Sequence, residues 1–197
     1  MSDPVDPTPI EHPKSAPADR ETNGPFDESE ANAVRPYVDL GGVKIVPRPD
    51  LALRLEVEEE SQRVVAVALD YAGSTLQVQP FAAPRGSGLW FEIREQIIEQ
   101  IQRQGGAASE ADGPLGPEVR AEIPSPEGRR LARFVGVDGP RWFLRGVISG
   151  DAAVDPVAGA QLEELFRSIV VVRGTTPMPP RDLIPLHVPA NAGQPEG

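Results

Sequence analysis

Where proline falls constrains this chain more than any other feature, because proline cannot donate to a sheet ladder or sit inside a helix without breaking it. Seven of the 23 prolines lie in residues 1–36 and six in 174–197, leaving ten for the 137 residues between. Regular structure is therefore expected in the middle and irregular or extended backbone at both ends. Charge divides in the same way: the first segment carries eight acids against three bases, the middle 20 against 15, and the last two against one. In residues 1–36 the large apolar side chains are Val5, Ile10, Phe26 and Val34, too few to offset the ordering of the chain. Residues 1–36 are thus expected to be a disordered acidic tail, 37–174 a single globular domain, and 175–197 a Pro-rich segment partly docked on it. Partial docking is expected because Met178, Leu183, Ile184, Leu186 and Val188 interrupt the final prolines. Such a segment either runs extended across its own domain or serves as a docking peptide for another protein.

Within the middle, Leu51, Leu53, Leu55 and Val57 alternate with Ala52, Arg54, Glu56 and Glu58, the period of a half-buried strand. Turns at Glu59–Gln62 and Ala72-Gly73 lead into strands over 64–71 and 74–81, and an earlier strand over 38–46 bends at Gly41-Gly42. From Trp90 the apolar positions Ile93, Ile97, Ile98 and Ile101 recur at three- and four-residue steps, which predicts an amphipathic helix capped near Ser87 and stopped at Gly105-Gly106. Residues 107–117 read as a polar loop. Strands over 118–123, 129–137 and 141–149 follow, the last two joined across Asp138-Gly139 as a two-residue hairpin turn. Asp155-Pro156 has the form of a cap followed by proline at the first helical position, and Val170, Val171 and Val172 predict a buried closing strand. The fold class is therefore α+β: two antiparallel meanders, each followed by an amphipathic helix, and a closing strand, with the helices packed on an antiparallel sheet.

The chain has no cysteine, and its two histidines, His12 and His187, lie in the proline-rich ends. The expected core therefore lacks the residue types behind most nucleophilic, general-base and zinc chemistry. Phosphate-binding glycine signatures and the G-x-S-x-G string are absent, and the spacing of Asp151 and Asp155 matches no calcium loop. No catalytic residue, metal or cofactor is expected. A net charge of −11 opposes phosphate backbones and anionic lipid, and no apolar run of about 18 residues occurs, so neither nucleic-acid nor membrane binding is expected. A cytoplasmic location follows from the lack of a basic stretch leading into an apolar one.

Two clusters remain as candidate sites. With a turn at Asp138-Gly139, Phe134 would face Phe143, with Arg141 and Arg145 beside it and Arg133 on the other face. Guanidinium groups next to an aromatic ring can clamp a carboxylate or phosphate, so Arg133, Arg141, Arg145 and Phe143 form a candidate anion site. The competing reading pairs these arginines with Glu118, Glu122 and Glu127. Trp90 and Phe91 cannot both enter one core from adjacent helical positions, so one of them, with Met178, Leu183 and Ile184, is a candidate protein interface.

The string Gly139-Pro140-Arg141-Trp142-Phe143-Leu144-Arg145-Gly146 resembles the actinobacterial DUF3710 family. So do Leu165-Phe166-Arg167 ahead of Ile169–Arg173, and Pro177-Met178-Pro179-Pro180-Arg181 with 183–189. Gly24-Pro25-Phe26-Asp27 and Val38-Asp39-Leu40-Gly41 extend the similarity to about residues 24–190. The resemblance implies an actinobacterial cytoplasmic protein, in keeping with 17 arginines against two lysines, and transfers no catalytic set. Three functional classes stand at this point. The first is a noncatalytic protein-binding or assembly module with an unidentified protein partner. The second is a small-anion-binding domain using the arginine hairpin, and the third an enzyme that works with carboxylates and arginine alone.

Overall fold

A computed structural model describes residues 11–32 and 34–189. In chain order these form helix α1 (Arg20–Asn23), strands β1 (Phe26–Asp27), β2 (Val38–Asp39), β3 (Val43–Ile45), β4 (Ala52–Val57), β5 (Val64–Tyr71) and β6 (Ser74–Ala82), and helix α2 (Trp90–Arg103). Strands β7 (Ala107–Gly113), β8 (Gly116–Ser125), β9 (Gly128–Asp138) and β10 (Trp142–Gly150), helix α3 (Pro156–Arg167) and strand β11 (Val170–Val171) follow. The α+β class holds. Seven strands make one antiparallel sheet in the order β4-β5-β6-β10-β9-β8-β7, so the two meanders join where β6 pairs with β10.

Side chains alternate across this sheet, and each face receives one helix. Phe143 of β10 stacks on Trp90 of α2 at 5.6 Å, whereas a Cβ at Gly146 of the same strand would meet Phe166 of α3. Two apolar cores result. Leu76, Val78, Val135, Leu144 and Ile148 pack with Leu162, Leu165 and Phe166 on the α3 side; Val119, Ala121, Phe134 and Phe143 pack with Trp90, Ile97 and Ile101 on the α2 side. At Gly136 a methyl group would lie 2.6 Å from the Trp90 ring, so a glycine there lets the helix sit against the sheet.

The sequence reading needs four corrections. Residues 107–113 are not a loop but the edge strand β7, paired with β8 from Ala107↔Glu122 to Gly113↔Gly116. Its Ser109, Glu110 and Asp112 give it the polar character of an edge that must not pair further. The closing strand does not join the main sheet. Instead β11 pairs in parallel with β1 and antiparallel with β3, in a second sheet of order β1-β11-β3-β2. The β9–β10 hairpin turns at Pro140-Arg141, with the Gly139 N–H donating to the Trp142 carbonyl at 2.8 Å. Proline at the first corner has its φ preset for a turn and no N–H to lose. Phe143 therefore faces Asp138, Arg145 faces Gly136, and Phe134 faces Val147.

The fourth correction concerns the N-terminal segment. Residues 1–10 lie outside the described residues, but 11–32 are packed on the domain and do not fit a disordered tail. Few of their contacts are apolar. Ser15 and Asp138 exchange hydrogen bonds, the Gly88 N–H donates to the His12 carbonyl at 2.8 Å, and Phe26 enters the second sheet. Arg20 is buried, bound to Glu30 at 2.8 and 3.0 Å, and lies 5.6 Å over the Trp142 ring. At the other end, Leu183 bridges to Phe81, Leu186 bridges to Gly41 and Val64, and Ile184 is buried.

Candidate functional site: a basic depression at the β9–β10 turn

The structure breaks the expected arginine trio apart. Arg133 is buried on the α3 face, where its guanidinium grips Glu118 through two bonds of 2.7 and 2.8 Å and reaches Glu163 at 2.9 Å. Hydrogen bonds donated to Glu118 hold its pKa far above the ordinary arginine value despite burial, so it is a satisfied structural cation. Arg145 lies on the α2 face, half-buried, with its Nε enclosed and unpartnered, and burial lowers its pKa. Phe143 is fully buried and touches no open surface. Arg141, carried to the corner of the turn by Pro140, is also half-buried and is the one of these arginines that lines the depression there.

Arg141 has company that its own hairpin does not supply. It walls a depression of about 510 Å³ together with Lys14, Arg20 and Arg85, with Glu21 and Asp138 as the acids. Each cation comes from a different stretch: Lys14 from the N-terminal strap, Arg20 from α1, Arg85 from the loop after β6, Arg141 from the turn. The strap is seated by a close approach, since a Cβ at Gly88 would stand 2.5 Å from the Pro13 carbonyl oxygen. Lys14 Nζ then donates to the Gly139 carbonyl at 2.6 Å and to that of Pro84 at 2.8 Å, and its burial lowers its pKa.

The two acids offset only part of this charge. Asp138 is buried and committed: Oδ1 accepts from the Leu89 N–H at 2.8 Å and Oδ2 from Ser15 N–H at 2.9 Å. It thereby caps α2, whose own first residues offer no side-chain cap, and the expected cap at Ser87 is replaced by a carboxylate from β9. Arg20 is neutralised by Glu30. The ion pairs among the described residues engage other arginines, among them Arg54, Arg94, Arg129, Arg133, Arg167 and Arg181, and none engages Arg85 or Arg141. Arg173 lies outside the lining, its pKa lowered by desolvation and by the nearby Arg141.

The expected protein-interface residues are mostly spent inside the chain. Trp90 is fully buried and donates its indole N–H to the Pro117 carbonyl at 2.7 Å. Met178 is half-buried on the α3-side core, and Leu183 and Ile184 lie along the end of β6. Phe91 stays 42% exposed, with the His12 ring stacked on it at 4.2 Å. Among the described residues no three His, Asp or Glu side chains gather as a metal site, and Asp155 accepts the Val157 N–H as a helix cap. No described helix is long and apolar enough to cross a membrane.

No curated protein matches the chain. A solved structure similar to it is the solution structure of cyanobacterial PsbP (CyanoP) from Synechocystis sp. PCC 6803, at 10% sequence identity and a TM-score of 0.42, covering 72% of this chain and 96% of that one. The family model described as a protein of unknown function, DUF3710, matches residues 24–195, and the chain belongs to that family.

Proposed function

We propose that this chain is a noncatalytic binding module of an actinobacterial cytoplasm, and that it holds an anionic ligand in the depression around Arg141. One observation carries the reading: in a chain of net charge −11, Arg85 and Arg141 face one cavity and neither has a carboxylate partner among the described residues. Clustered like charges raise the energy of the empty site, and an anion relieves it through charge-assisted hydrogen bonds from planar guanidinium groups. The cytoplasmic and actinobacterial parts rest on the cysteine-free, arginine-rich composition and the family resemblance. Sulfate, titrated while the arginine Nε resonances are followed by NMR, tests the site. Saturable shifts at Arg85, Arg141 and Arg173 with none at Arg133 are expected. Uniform small shifts at all exposed arginines would contradict it.

A protein partner is the second reading, favoured by the exposed Phe91 ring at the start of α2. A photo-crosslinking residue at position 91 should then yield one dominant adduct in cells, suppressed by Arg94→Ala, because the Arg94 guanidinium lies 5.5 Å over that ring. Absence of an adduct would remove this reading.

A further inference from the structure

The charge and the walls of the depression narrow the ligand class, on the reading that it is an anion site. Asp138 offsets Lys14 and Glu30 pairs with Arg20, which leaves Arg85 and Arg141 as the lining cations with no carboxylate partner among the described residues. Two guanidinium groups without carboxylate partners complement a dianion better than a carboxylate, which brings one charge. None of the lining residues is aromatic. Trp142 is fully buried beneath Arg20. A nucleobase would have no ring to stack on. The volume of about 510 Å³ is that of a small-molecule site and exceeds what a bare inorganic anion fills.

We infer that the depression takes a small phosphomonoester, its dianionic phosphoryl group held by Arg85 and Arg141. A phosphomonoester gains its second negative charge with a pKa of about 6, whereas sulfate is doubly charged and a phosphodiester singly charged throughout that range. The groups facing the ligand are Lys14 from the strap, Arg20 and Glu21 from α1, Arg85, Asp138 from β9, and Arg141, with Arg173 beside it. The His12 ring of the strap is stacked on Phe91 and does not line the depression.

The test is calorimetric titration of the full chain with glycerol 3-phosphate, sulfate, dimethyl phosphate and acetate at pH 5 and pH 7, repeated in His12→Gln. Glycerol 3-phosphate should bind about tenfold more tightly at pH 7 than at pH 5, following its dianion fraction. Sulfate should bind equally at both, the two monoanions should bind at least about tenfold more weakly than sulfate, and His12→Gln should change none of this. Arg141→Gln should abolish the difference between dianions and monoanions. An unchanged ratio of glycerol 3-phosphate to sulfate between the two pH values, or monoanions as tight as sulfate, would overturn the phosphomonoester while leaving an anion site in place. Failure of every anion to bind would overturn the anion site itself. Adenosine monophosphate or a phosphoserine peptide binding more than about tenfold tighter than glycerol 3-phosphate would overturn the small, base-free ligand.

Discussion

Arg133 and Arg141 belong to one hairpin and have opposite chemistry, because the sheet face and the turn surround them differently. Arg133 is enclosed with Glu118 and Glu163, and a buried pair that loses one member leaves an uncompensated charge. Glu118→Gln is therefore expected to destabilise the fold by about 3–5 kcal/mol, measured by urea unfolding, without altering anion binding. Asp27 makes a second residue-level case. Burial alone would raise its pKa, but hydrogen bonds from the Ser29 hydroxyl and N–H and from the Trp142 indole bring it below the ordinary 3.8. A carboxylate with a depressed folded pKa contributes stability that is complete above its unfolded value and is lost as pH falls through the folded one. Acid unfolding followed from pH 5 downward should thus be steeper in the parent chain than in Asp27→Asn, with the difference appearing below about pH 4.

At the scale of elements, α2 owes its start to another strand. Asp138→Ala removes an acceptor that serves the Leu89 and Ser15 N–H groups at once, and each buried donor left unpaired costs about 1–3 kcal/mol. The variant should melt lower and, because the strap loses its seat, be cleaved faster within residues 11–19 in limited proteolysis; unchanged cleavage would contradict the strap's attachment. The legibility of elements follows from the same physics. Strands β4 and β6 and both long helices were readable because one face of each is more buried and so carries a period in its apolar residues, and β5, buried on both faces at its centre, because its apolar run is bounded by turn residues. Strand β7 was not, since an edge strand with Ser109, Glu110 and Asp112 has almost no apolar face. The strap was not, since hydrogen bonds of Ser15, Lys14 and Arg20 order it where apolar content would have predicted disorder. Pro140 was a readable signal for the turn, and weighing it against Asp138-Gly139 would have given the observed register.

In the whole molecule, sequence separation hides the site. Lys14, Arg20, Arg85 and Arg141 lie in four separate stretches, and the seating of the strap on the sheet gathers them. One-dimensional clustering singled out the hairpin arginines instead, of which Arg133 is a core ion pair and Arg145 sits on the α2 face. The measurement that separates these assignments most directly is the sulfate dissociation constant of the parent chain, Arg141→Gln and Arg145→Gln by calorimetry, with circular dichroism confirming that both variants are folded. Loss of at least about tenfold in Arg141→Gln, equivalent to about 1.4 kcal/mol, with Arg145→Gln within about twofold of the parent, is the expected result. The reverse order, or equal affinity in all three chains, would contradict an anion site at the β9–β10 turn.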